Sequence, residues 1–212
     1  IRFGMWDEIT NLEQPEDKKL YVTTNALVHY AKAVAYANLG KHKEAENYVE
    51  QFASAYALVP ESRHLFNNKS RDVLEIANEM MLGEVAFKSG NKTEGLNHLR
   101  QAVELDDNLN YEEPWSWPQP TRHALGALLL EVGNYEEAEV VYKADLGIDG
   151  KLPRPSQHPK NVWALHGLHE CLKRRDDKIE LPHVAFLLQQ AEARSDIKIN
   201  ASCLCRSKSS IA

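Results

Sequence analysis

Residues Leu125–Tyr142 read LGALLLEVGNYEEAEVVY. Two segments of helical character are split by Gly133-Asn134-Tyr135, and Ala138 sits within a run of acids. A glycine between two amphipathic runs ends the first helix and lets the chain turn back, because glycine adopts positive φ at little cost. Small residues such as Gly126 and Ala138 let the two helices approach closely, while leucines and aromatics fill the remaining space. Glu136 and Glu137 fall in the first turn of the second helix, where negative charge suits the helix dipole. They read as a solvated helix start rather than as paired catalytic carboxylates.

The pattern recurs. Leu82-Gly83 precedes Gly90 by the same spacing that places Leu125-Gly126 before Gly133. Gly40 is followed by Ala45 and Val49 in LGKHKEAENYV, and Gly90 by Gly95, Leu99 and Ala102. Gly4-Met5-Trp6 repeats the turn near the start, and Trp163-Ala-Leu-His-Gly167 repeats the opening of a first helix near the end. The fourth copy, 160–194, lacks a turn glycine, and its connection Arg174–Leu181 is longer and charged. Extra length falls at 60–71, expected to add a turn or short helix, and in loops at 108–120 and 147–159. Thr121 or the preceding loop is the candidate cap for the helix after Pro120.

The motif of Leu-Gly, turn glycine, aromatic, alanine and aromatic resembles the tetratricopeptide repeat. Residues 119–146 carry it best, 76–107 well and 26–60 with Ala33 in place of the paired glycine. The resemblance implies an all-α fold: a tetratricopeptide-like right-handed α-solenoid of about four helix-turn-helix units over residues 1–194, with an irregular C-terminal tail at 195–212. Gly4 would close a first helix whose beginning lies upstream, and a half-repeat leaves an apolar face without a neighbour. The stretches PTRHALGALLLE, HPKNVWALHGLHECL and SCLCR are similar to the C-terminal part of a group of longer tetratricopeptide proteins with no assigned activity. The chain is therefore expected to be the C-terminal part of such a protein.

Composition excludes several classes. The chain has 212 residues, net charge -6 and pI near 5.9. Its one basic cluster, Lys173-Arg174-Arg175, is answered by Asp176 and Asp177, which argues against nucleic acid. Runs such as Ala124–Leu130 fall far short of the roughly 20 apolar residues that span a membrane. Three cysteines, Cys171, Cys203 and Cys205, argue against a disulfide scaffold and for a reducing, cytoplasmic compartment. The sequons at Asn68, Asn91 and Asn200 read as chance occurrences.

The resemblance implies a non-enzymatic protein-protein interaction or scaffold module, with a peptide or apolar segment held on the concave surface lined by each first helix. Tyr30, Val34, Met80, Glu84, Phe87, His123 and Ala127 are the expected groove residues. Its occupant is either a protein partner or the protein's own N-terminal region. The Lys, Asn and Arg set that clamps a chaperone's C-terminal carboxylate is missing. In the loop YEEPWSWPQPTRH, Trp115 is a candidate interface anchor. The structural reading has Trp115 and Trp117 sealing the second copy against the third.

A second reading is a metal site. His166 and His169 share a helix face, and Cys203-Leu-Cys205 offers two sulfurs that suit zinc or copper. The order His-x-x-His-Glu is not the His-Glu-x-x-His of zinc proteases, and packing histidines with an ordinary tail are the expected outcome, with no cofactor. A Cys171–His nucleophile would need a spatial arrangement that spacing does not supply. No phosphate-binding loop or nucleophile elbow is present.

Overall fold

The computed structural model describes residues 1–206, in which α-helices dominate. They are α1 (Trp6–Thr10), α2 (Val22–Asn38), α3 (His42–Ala57), α4 (Ser70–Lys88), α5 (Lys92–Asp107), α6 (Thr121–Glu131), α7 (Tyr135–Asp145), α8 (Val162–Arg174) and α9 (Leu181–Glu192). The chain forms two compact units, Ile1–Thr121 and Arg122–Ala212. The first holds the antiparallel pairs α2/α3 and α4/α5, and the second holds α7, α8, α9 and nearly all of α6.

The turn glycines stand where the spacing places them. Gly4, Gly40, Gly90 and Gly133 all have positive φ. Each of the last three lies in the same reversal. The residue after the glycine donates its N–H to a carbonyl five positions back, as Lys41 does to Tyr36, Asn91 to Ala86 and Asn134 to Leu129. These bonds occupy carbonyls that the helix end would otherwise leave orphaned. Asp177 bonds Leu172 in the same way, with Asp176 at φ 53° in the glycine's place. The Gly4 turn also matches the Gly90 turn: Trp6 N–H donates to the Gly4 carbonyl and Lys92 N–H to that of Gly90, both at 2.9 Å.

Paired small residues set the helix approach. A Cβ on Gly83 would lie 2.7 Å from Leu99 Cγ, and one on Gly126 would lie 2.5 Å from the Tyr142 ring. Both side chains come from the second helix of the same pair. Gly167 differs, because its missing side chain makes room for Tyr142 of the preceding pair rather than for a residue of α9.

Three further features complete the fold. Residues 60–71 supply the expected turn as part of a short antiparallel hairpin, β1 (His64–Leu65) with β2 (Asn68–Lys69), reversing at Phe66 with φ 50°. The Thr121 hydroxyl donates to Asp106 at 3.0 Å, tying the start of α6 to the end of α5. The tail has no regular structure over 195–206, yet it is not loose. Ala201, Ser202, Cys203, Cys205 and Arg206 are buried. Ser202 shares a hydrogen bond with the Tyr142 hydroxyl, and Arg206 holds Glu170 at 2.6 and 3.2 Å. The rest of the expected tail, 207–212, lies outside the described residues.

Candidate functional site

In the first unit, α2 and α4 lie side by side as the first helices of their pairs. Tyr30 and Val34 on α2, and Met80, Glu84 and Phe87 on α4, are all buried. Phe87 packs toward Gly95 of α5, with Lys92 Nζ 5.5 Å from its ring centroid, and so serves the α4/α5 pair. Tyr30 has a different cover. Trp117, from the loop between α5 and α6, meets it edge-to-face with ring centroids 5.6 Å apart, and each residue is 5% exposed. Trp117 thus lies against the first helical pair.

This seat holds polar atoms that it does not satisfy. The Tyr30 hydroxyl, Trp117 Nε1 and Glu84 Oε1 are buried without a hydrogen-bond partner, while the other Glu84 oxygen accepts from Asn38 at 3.3 Å. Burial disfavours the Glu84 carboxylate and raises its pKa from 4.5 to about 7, against the opposing pull of Asn38 and Lys88. Burial followed by the neighbouring Glu84 pushes the Tyr30 phenol well above its ordinary range.

The Trp117 loop is fastened to the β1–β2 hairpin by side-chain bonds. Asn68 Nδ2 donates to the Asn110 carbonyl at 2.9 Å and to Ser116 at 3.2 Å, and its Oδ1 accepts the Asn110 N–H at 2.8 Å. Glu112 accepts the Asn67 N–H at 2.7 Å, and Asn67 Nδ2 donates to the Tyr111 carbonyl at 3.0 Å. Both insertions of the first unit therefore form one surface feature. It carries three exposed aromatics: Phe66 at 69%, Tyr111 at 57% and Trp115 at 50%. Trp115 is thus the one predicted binding residue with open surface. Spacing gave no warning that Asn67, Asn68 and Asn110 would assemble this feature.

In the second unit, His123 and Ala127 are buried. His123 Nε2 lies 3.0 Å and His158 Nδ1 2.9 Å from the Asp145 carboxylate, to which Asn161 Nδ2 donates at 2.8 Å. Burial would raise the Asp145 pKa, but hydrogen bonds from the two histidines outweigh it and hold the group well below the usual carboxylate range. The cluster joins α6, α7 and the loop before α8.

The candidate metal residues do not converge. Among the described residues, no group of three or more His, Cys, Asp or Glu side chains is arranged to hold an ion. Cys203 and Cys205, the candidate sulfur ligands, are joined to each other in a disulfide. They lie one residue apart in a turn that brings the sulfurs together. His166 and His169 share α8, and burial lowers the pKa of both. Cys171 is buried and its thiol is pushed up, first by burial, which works against a thiolate nucleophile.

The family model for the tetratricopeptide repeat matches residues 26–57, the span of α2 and α3 with their Gly40 turn. The chain carries a tetratricopeptide repeat there. These two helices have 17 and 16 residues, whereas α6 and α7 have 11 each. The matched copy is therefore not 119–146, which keeps more of the motif residues on shorter helices. Two solved structures share the tetratricopeptide-like α-solenoid fold. One contains nearly identical TPR-like repeats of a candidate kinesin light chain from Podosopora anserina, at 22% identity and TM-score 0.54 over 82% of this chain and 78% of that one. The other is a glutamine-to-methionine variant of the same repeats, at 22% identity and TM-score 0.51 over 80% and 74%. No curated protein matches the chain significantly. Among the described residues, no helix is long and apolar enough to cross a membrane.

Proposed function

We propose that this tetratricopeptide-repeat protein is a non-enzymatic binding module whose first unit receives an extended, partly apolar peptide segment of a protein partner. Tetratricopeptide repeats commonly mediate protein-protein interaction, and that supports a scaffold role. The observation that carries the finer reading is the stapled pair of insertions. Hydrogen bonds fix the β1–β2 hairpin and the 110–116 loop to each other, and this rigid support leaves Phe66, Tyr111 and Trp115 exposed. Large aromatics held in place, with little side-chain entropy to lose, make effective interface anchors. The partner reaches this rim first and continues toward the α2–α4 face where Trp117 sits.

Met80 and Phe87 are poor probes of this reading, because both are buried and a charge at either would unfold the unit. Trp115→Ala and Phe66→Ala are the suitable variants. Affinity capture from cell extract, followed by mass spectrometry, is expected to recover a partner with the wild-type chain and to lose it with Trp115→Ala at unchanged helical circular dichroism. A partner retained at full yield by both variants overturns the assignment of the rim.

A further inference from the structure

We infer that the loop segment YEEPWSWP, residues 111–118, is a resident pseudo-ligand of the first unit, and that the partner peptide carries the same chemistry: a tryptophan flanked by prolines. The inference rests on the peptide-binding reading above and names the class of peptide.

Three observations carry it. The cover over Tyr30 includes a loop tryptophan, where a helical pair stacked by its own helices would need none. Trp117 is inserted edge-to-face against a first-helix position of α2, as an anchor of a bound peptide would be. Second, the resident fits imperfectly. The Trp117 N–H, the Tyr30 hydroxyl and one Glu84 oxygen are all buried and unpartnered, so Trp117 is held there less firmly than a fully hydrogen-bonded core residue would be. Third, the loop is anchored on both sides of the tryptophan by bonds that do not involve the seat. Asn68 holds Ser116 on one side, and Asp106 holds Thr121 on the other. Trp117 can therefore leave Tyr30 while the helices stay formed. Pro114, Pro118 and Pro120 restrict the backbone, which lowers the ordering cost of a peptide of this composition.

The test uses a fluorescein-labelled peptide YEEPWSWPQP added in trans and read by polarisation. Removing the resident side chain with Trp117→Ala is expected to tighten binding about tenfold or more relative to the wild-type chain. A peptide with both tryptophans replaced by alanine is expected to bind neither protein. Equal binding to both proteins, no binding to either, or binding indifferent to the peptide's tryptophans overturns the inference. If Trp117→Ala loses its helical circular dichroism, the wild-type chain labelled with 5-fluorotryptophan decides. Saturating peptide is expected to shift the Trp117 fluorine resonance toward that of solvent-exposed tryptophan, and an unmoved resonance overturns the inference. Partner capture that depends on Trp115 while this peptide stays inert would refute the pseudo-ligand and leave the binding-module reading standing.

Discussion

At the scale of single residues, Tyr142 shows how small and large side chains are matched. Its ring lies where side chains of both Gly126 and Gly167 would otherwise stand, and its hydroxyl is tied to Ser202. A ring buried on both faces and pinned at its tip has nowhere to move. Gly167→Ala and Gly126→Ala are therefore each expected to cost about 1–3 kcal/mol through overpacking. Thermal denaturation followed at 222 nm should show a midpoint several degrees lower for each. An unchanged midpoint would mean that Tyr142 relaxes and the close approach is not required. Gly126 and its partner Tyr142 were legible from their spacing within one motif. That Gly167 serves the same tyrosine was not, because the contact joins residues of successive pairs and no local period records it. The same limit explains Tyr30. Its helix position was readable, but its burial by Trp117 depends on a loop distant in sequence.

At the scale of the element, the four reversals at Gly40, Gly90, Gly133 and Asp176 share one hydrogen-bond pattern with one chemical difference. An L-residue in the left-handed region pays roughly 1 kcal/mol that glycine avoids. Aspartate tolerates this region better than most residues, which is why the fourth pair turns without glycine and why the sequence looked irregular there. Asp176 contacts Lys178 at 3.2 Å, but both are highly exposed, so that pair contributes little. Asp176→Gly is therefore expected to raise the thermal midpoint by about 2–4 °C, measurable by scanning calorimetry. A lower midpoint would show that the aspartate side chain does more for the α8–α9 turn than its backbone costs. The β1–β2 hairpin was illegible for another reason. Strands of two residues are too short to show an alternating pattern, and the bonds that define the hairpin come from Asn110, Tyr111 and Glu112 in another loop.

At the scale of the whole molecule, the two units carry buried carboxylates of opposite character. Glu84, in the first unit, has its folded pKa raised from 4.5 to about 7, so folding favours its protonated form. Its contribution is fully present below about pH 4.5 and is lost as pH rises toward and through 7, about 3 kcal/mol in all. The groups it senses are Tyr30 and Asn38 on α2 and Lys88 on its own helix. Asp145, in the second unit, has its folded pKa lowered below 3.8, so its contribution is present above that value and is lost as pH falls through the acid range. Hydrogen exchange resolved by peptide should therefore separate the two. From pH 5 to 8, after correction for the intrinsic exchange rate, protection is expected to fall in α2 and α4 and to hold in α7 and α8. Below pH 4 the second unit should open as its histidine–aspartate cluster is neutralised. Glu84→Gln keeps the shape, removes the ionisation, and should flatten the decline in α2 and α4. If that variant declines with pH as steeply as the wild-type chain, the neutral-range sensitivity arises elsewhere and Glu84 is not its source.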